Sequence, residues 1–257
     1  MINLFEIIRR AEKGPYIKEN DFDMKLFKTA TKLVKEYGIK YDKNIIVTGD
    51  DKMADAIYEG GLQLALEMGL MSVSTSRVIE FTEAELRQTL RFAPKELILG
   101  RDKDARTMRA RTFGDGYPMI VCGGPPGTPI TEDLFLPVMM SYAKEPLIDI
   151  IIAGSLTVIE GMEVRTNGPL EIRACRQEMM WMREALDRAG RSGMHIYSCG
   201  ESSATELGTL AIASEQYMRT SDSHMIPVLS ELKTDNARLS RVMTGLEYPA
   251  FKTSLID

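Results

Sequence analysis

Cysteine, histidine and tryptophan are scarce in this chain, at three, two and one among 257 residues. The cysteines (Cys122, Cys175 and Cys199) are odd in number and widely spaced, which excludes a disulfide framework. They read as free thiols in a reducing compartment, so a cytoplasmic protein is expected. The histidines, His195 and His224, form no close-spaced ligand pair with one another or with cysteine, and no metal is expected. No long basic cluster with interleaved aromatics occurs, and the net charge is −5, so nucleic acid is not an expected partner. The longest apolar run, Leu147–Val158, is broken by Asp149 and Gly154 and is too short for a membrane span. The first residues, Met1 to Glu6, lack the basic-then-apolar order of a signal peptide. A G-x-S-x-G nucleophile elbow and short repeats are also missing.

What is present is ordinary globular composition, 44% hydrophobic and 27% charged, over a length that can bury a large core. Seventeen methionines are many. Met179, Met180 and Met182 surround Trp181, and a helix core or packing surface is the expected use of such flexible side chains.

The most informative stretch is Cys122-Gly123-Gly124-Pro125-Pro126-Gly127-Thr128-Pro129-Ile130. It follows the apolar segment Tyr117–Val121 and feeds the helical pattern from Asp133 to Met140. A strand therefore opens here into a rigid turn. Ligands sit at the C-terminal ends of parallel strands, and Gly123 and Gly124 would let one approach the backbone. A tight strand-to-helix connection is the alternative use of the same residues.

The chain changes character near residue 115. Before it, helices are expected at Phe22–Tyr37, Lys52–Met68 (opened by Asp50-Asp51) and from the capping box Thr82-Glu83-Ala84-Glu85 to about Phe92. Met71–Val73 with Val78–Phe81, and Glu96–Leu99 with Arg109–Phe113, are expected as hairpins. The charged turn Gly100–Arg106 reads as solvated. Residues 116–257 then alternate strands (Pro118–Cys122, Leu147–Ala153, Met194–Tyr197) with helices (Glu132–Ala143, Pro169–Ala189, Ala204–Met218). A fourth unit from Ser223 to about Gly245 has no clear strand. Alternation of this kind means an α/β fold with a parallel sheet and crossover helices. Three or four such units are about half of the eight a closed barrel needs. The expectation is a fragment, a small open sheet, or a chain that completes itself with a partner, a homo-oligomer included.

Reactive side chains gather at the expected strand ends. They are Ala153-Gly154-Ser155-Leu156-Thr157, the run His195–Ser203, and Thr220-Ser221-Asp222-Ser223-His224. Cys199 with His195 or His224 invites a nucleophilic reading. His195, Cys199, His224 and Cys122 could in principle hold zinc. Glu201 is the better candidate, as a general acid or base or as a counter-charge for an amine. It could equally serve the N-terminus of the helix expected from Ala204.

Several ordered motifs bear a family resemblance. Gly123-Gly124-Pro125-x-Gly127-x-Pro129-Ile130-x-Glu132-Asp133 is followed by Pro137-Val138-x-Met140-Ser141-Tyr142-Ala143, Ala189-Gly190-Arg191-x-Gly193-Met194, Asp222-Ser223-His224 and Glu231-Leu232-Lys233-x-Asp235. Upstream stand Glu67-x-Gly69, Arg77 and Leu99-Gly100-Arg101-Asp102-Lys103-Asp104. Together they resemble the monomethylamine:corrinoid methyltransferases of methanogenic archaea, over most of residues 20–245.

The resemblance implies a TIM-type barrel, here partial, preceded by a mainly helical N-terminal region over residues 1–115. It implies transfer of a methyl group from a methylated amine to the Co(I) of a corrinoid. That cofactor is carried by a partner protein and not bound by this chain. The family places a pyrrolysine in the segment that is here His195–Gly200; this chain has one extra residue there and no pyrrolysine, and Ser198 stands nearest its place. Glu201 matches a family glutamate. The family's glutamate after Asp-Ser-His is Met225 here, and two further site residues would fall at or beyond the end of this chain. Ser198, Cys199 and Glu201 are thus the catalytic candidates, with Tyr197, Asp222, His224, Gly123 and Gly124 for substrate. Without the imine electrophile, an already activated substrate is expected, a quaternary or otherwise methylated ammonium, caged by Glu201, Tyr197 and Asp222. A non-catalytic remnant or partner subunit of the same family is the alternative.

Overall fold

The computed structural model describes residues 3–46, 48–112, 114–202, 205–226 and 231–248, with the backbone alone at 253–256. By contacts the chain divides into two units, residues 1–93 with 228–239, and residues 94–227 with 240–257. The sequence changes composition near 115, but the contacts divide it at Ala93/Pro94.

The first unit opens with α1 (Leu4–Lys13), capped by the Asn3 side chain accepting Glu6 N–H at 2.9 Å. This helix has no counterpart in the sequence reading. It continues with α2 (Glu19–Glu36) and α3 (Asp51–Met68), where Asp50 accepts Lys52 N–H at 3.0 Å. The expected hairpin forms as β1 (Leu70–Ser72) against β2 (Arg77–Ile79). In α4 (Glu83–Arg91) the capping box is closed in both directions, between Thr82 and Glu85. Phe22, Met68, Met71 and Val78 form this unit's apolar cluster.

The second unit starts with β3 (Glu96–Leu99) and β4 (Arg106–Arg109). Glu96 pairs with Arg109 and Leu99 with Arg106, a pairing nearer the turn than expected. The 3-10 turn Asp102–Asp104 is tight and returns the chain early. Phe113, placed in that hairpin from sequence, lies outside the described residues. Next come β5 (Cys122–Gly123), α5 (Glu132–Lys144), β6 (Ile150–Ile151), the small hairpin β7 (Val158–Ile159) and β8 (Met162–Glu163), and α6 (Pro169–Arg188). After these stand β9 (His195–Ser198), α7 (Glu206–Ala211) and β10 (Ser223–Ile226). Then β11 (Lys233–Thr234) joins β1 in parallel within the first unit, α8 spans Asn236–Glu247, and β12 covers Thr253–Ile256.

The strands of the second unit's main sheet lie in the order β12-β10-β9-β6-β5, all parallel. The fold is therefore mixed α/β with a parallel sheet. The ladders are shorter than the apolar runs. Before β5, Val121 N–H is taken at 3.0 Å by the Asp149 side chain, which Arg106 holds at 2.7 Å. Alternation along β6 and β9 sends Ile151 and Ile196 into a core with Phe135, Met139, Met179 and Met182. Ile150, Ile152 and Tyr197 pack on the other face with Leu99. Met179 and Met182 are fully buried there, and Trp181 rests on Phe135 with ring centroids 5.7 Å apart. No helix among the described residues is long and apolar enough to cross a membrane.

Two expectations fail here. The helix expected over Ala204–Met218 is only Glu206–Ala211, because Tyr217 and Met218 N–H groups turn back to the Ser214 carbonyl. That separate turn brings Met218 into the core. The charged turn is not solvated throughout: Asp104 is buried, with its carboxylate accepting from Arg191 Nε at 2.8 Å and Gly193 N–H at 3.1 Å.

Candidate active site beyond strand β9

Parallel pairing puts the ends of β5, β6, β9 and β10 on one side of the sheet, as the sequence argument required. Their loops interlock. Ser155, beyond β6, donates its hydroxyl to the Glu201 carbonyl at 2.6 Å, and Ser202 Oγ accepts Leu156 N–H at 3.1 Å. Ile130 N–H reaches the Ser155 carbonyl at 2.9 Å.

Gly123 and Gly124 have a use different from the expected one. A Cβ on Gly123 would meet Ile148 Cδ1 at 2.2 Å, and one on Gly124 would lie 1.9 Å from the Ile152 carbonyl oxygen. Gly124 also sits at φ +132°, a region that other residues rarely adopt. The Ile148 side chain and the Ile152 backbone take the space that a ligand was expected to use.

Glu201 lies just past β9 and is 7% exposed. Its Oε1 accepts Cys199 N–H at 3.0 Å, Ser198 Oγ–H at 3.4 Å and the Cys199 thiol at 3.5 Å. Ser198, Cys199 and Glu201 are thus brought together. The cap of α7 is Thr205, so Glu201 does not serve that helix; Ser203 and Ala204 lie outside the described residues. Burial pushes the Glu201 carboxyl above its usual value, while Cys199 and Ser198 hydrogen bonds and the charge of Arg241 oppose the shift.

Cys199 is not an activated nucleophile. Burial, then the Glu201 charge, push its thiol well above its ordinary value, and a reactive cysteine needs the reverse. His224 is fully buried with Nδ1 2.9 Å from the Ser198 carbonyl, and burial holds its pKa down to about 4. The neutral ring donates to that carbonyl. His195 places Nδ1 2.6 Å from the Ser221 carbonyl. Among the described residues no group of three His, Cys, Asp or Glu side chains is set to hold a metal ion.

Tyr197 is buried beside Leu99, Ile150 and Ile152. Asp222 stands apart from the expected cage. Its carboxylate accepts Ile196 N–H at 3.0 Å and Arg219 N–H at 2.8 Å, and pairs with Arg183. Burial alone would raise its pKa, but the charges of Arg183 and Arg219 outweigh that and hold it low. A carboxylate so engaged has no face left for an ammonium group.

Sequence reasoning missed Glu178 and Arg241, and met Ser202 only as part of the run His195–Ser203. Glu178, on α6, is fully buried and accepts Glu201 N–H at 3.1 Å and Ser202 Oγ–H at 2.6 Å. Its signal was legible: Glu171 and Glu178 fall in the stripe Ala174, Cys175, Met179, Met182, Ala185, Leu186, where an amphipathic helix should be apolar. Arg241, buried on α8, had no such signal.

Residues 2–248 match the family model for monomethylamine methyltransferase MtmB. The chain belongs to the MtmB family. It is 34% identical to MtmB1 of Methanosarcina barkeri and to MtmB2 of Methanosarcina acetivorans, over 90% of this chain and 50% of each relative. The crystal structure of Methanosarcina barkeri MtmB superposes with a TM-score of 0.91 at 31% identity, over 98% of this chain and 54% of that one. A hydroxylamine complex of MtmB gives the same score and coverage. The chain spans about half the length of the curated MtmB relatives it matches.

Proposed function

We propose that this chain works in methyl transfer of the methylamine:corrinoid type, with Glu201 as its substrate carboxylate. The observation that carries the reading is the placement of Glu201, a buried acid held by three donors at the C-terminal end of a parallel strand in an MtmB-family chain. In this reading residues 116–257 are the first units of a TIM-type barrel, behind a helical region over 1–115. The reaction belongs in the cytoplasm. The edge strands β5 and β12 are the features that favour a homo-oligomer.

The corrinoid on the partner protein supplies a cobalt(I) nucleophile that accepts the methyl group. This chain's residues hold the amine. Glu201 provides the counter-charge, and Tyr197 borders the same strand end. Ser198 and Cys199 donate to Glu201 and fix its orientation. No standard side chain at 198 offers an imine electrophile, so the substrate nitrogen must already be a good leaving group. A quaternary ammonium meets that need: its nitrogen departs with the electron pair as a neutral amine, and no proton is required.

The test combines the chain with a reduced corrinoid protein and offers monomethylamine or tetramethylammonium. Loss of the Co(I) absorbance with the quaternary ion alone is expected. No change with any methylated amine would remove the catalytic reading in favour of a remnant or partner subunit. One observation favours that second reading, the half-buried Met225 on β10 where the family resemblance calls for a glutamate.

A further inference from the structure

We propose that Glu178 is the positioning residue for Glu201, acting through the backbone of the loop that carries it. The proposal rests on the reading of Glu201 as the substrate carboxylate and adds the group that holds it in place. Both Glu178 oxygens are spent on two consecutive loop residues, Oε1 on Glu201 N–H at 3.1 Å and Oε2 on Ser202 Oγ–H at 2.6 Å. Ser202 Oγ in turn accepts Leu156 N–H, so the same bond locks the β6 loop onto the β9 loop.

Two turns earlier on the same face of α6, Glu171 repeats the arrangement. Its Oε1 accepts from the Thr205 hydroxyl and, at 3.3 Å, from Thr205 N–H, while Oε2 accepts Asn167 N–H at 2.8 Å. The helix therefore grips the loop on both sides of residues 203–204. Just before the first grip the loop lies hard against α6. Gly200 adopts φ +80°, and a Cβ there would be 3.1 Å from Cys175 Sγ.

Packing alone does not account for Glu178. An acid in an apolar stripe is costly to bury, and Met or Leu would fill the place without that cost. Among the described residues no ion pair reaches Glu178 or Glu171; their partners are loop N–H and hydroxyl groups. Burial and then the Glu201 charge push the Glu178 carboxyl well above its usual range, so the two acids sense one another. A residue that only filled space would do neither.

The test reads amide hydrogen exchange at Glu201 and the carboxyl 13C titration of Glu201, assigned by its loss in Glu201→Gln. Glu178→Ala is expected to speed exchange at Glu201 about tenfold, as losing a buried hydrogen bond should. The Glu201 midpoint should move, while the β9 amides keep their protection. Glu178→Gln keeps an acceptor oxygen and should restore slow exchange. Unchanged exchange and an unchanged midpoint in folded Glu178→Ala would overturn the proposal, as would Glu178→Gln behaving like alanine. Should the alanine variant not fold, Ser202→Ala carries the test: it frees one Glu178 oxygen and must shift the Glu201 midpoint, and an unmoved midpoint sinks the idea. None of these readouts needs substrate. A chain without methyl transfer can therefore still support or refute the latch.

Discussion

Arg191, just beyond the end of α6, donates Nε–H to the buried carboxylate of Asp104 at 2.8 Å, across 87 residues of sequence. The same carboxylate accepts Gly193 N–H, so one acid from the β3–β4 turn fixes the entry into β9. With the acid only 5% exposed and the arginine 16%, removing one partner leaves the other buried and uncompensated. Asp104→Ala should cost about 3 kcal/mol, read by urea denaturation. Lys103→Ala, in the same turn, should cost less than about 0.5 kcal/mol.

Glu201→Gln keeps an acceptor for Cys199 N–H and should leave the circular dichroism spectrum unchanged. Under the proposed function, methyl transfer should fall at least about a hundredfold, the scale of losing a positioned acid–base or charged group. Normal turnover in this variant would retire Glu201.

Burial holds the His224 ring down to about 4, against an ordinary 6.5. Between those values the unfolded chain binds a proton that the folded chain refuses, so stability falls as pH drops through that window. The loss should be roughly 2 kcal/mol between pH 7 and pH 5, and His224→Gln should lack it. The comparison isolates the ring from Glu178 and Glu201, whose raised pKa values act in the opposite direction, losing stability as pH rises. An imidazole NMR signal titrating near 6.5 would contradict the burial argument.

Gly124→Ala should cost roughly 2 kcal/mol or more, because both φ and the Ile152 carbonyl oppose a side chain. Gly127, at φ +66° with open space around it, is the control. Gly127→Ala should cost about 1 kcal/mol from backbone strain alone. Equal losses in thermal melts would show that the close approach at Gly124 is unimportant.

Local chemistry made several elements legible in the sequence. Thr82 and Glu85 name their own helix start because a capping box is satisfied within four residues. Asp50 does the same for α3. The apolar runs around Ile151 and Ile196 announce buried parallel strands, but not their lengths. Asp149 shortens the first ladder by taking an N–H that only the folded hairpin and Arg106 place beside it.

Sequence alone determined the α/β class, the order of units, the family, and the concentration of reactive side chains after β9, because periodicity, caps and motif order are properties of neighbours along the chain. It also offered Glu201, a match that needs no distance. The tertiary structure decided what surrounds Glu201. It drew Asp222 to Arg183 and Arg219, closed the Gly124 space with Ile152, and set Glu178 against the loop. Those outcomes depend on which buried donors and acceptors meet across tens of residues. Burial fixes that pairing, since an unpaired polar group in the core costs more than the chain can spare.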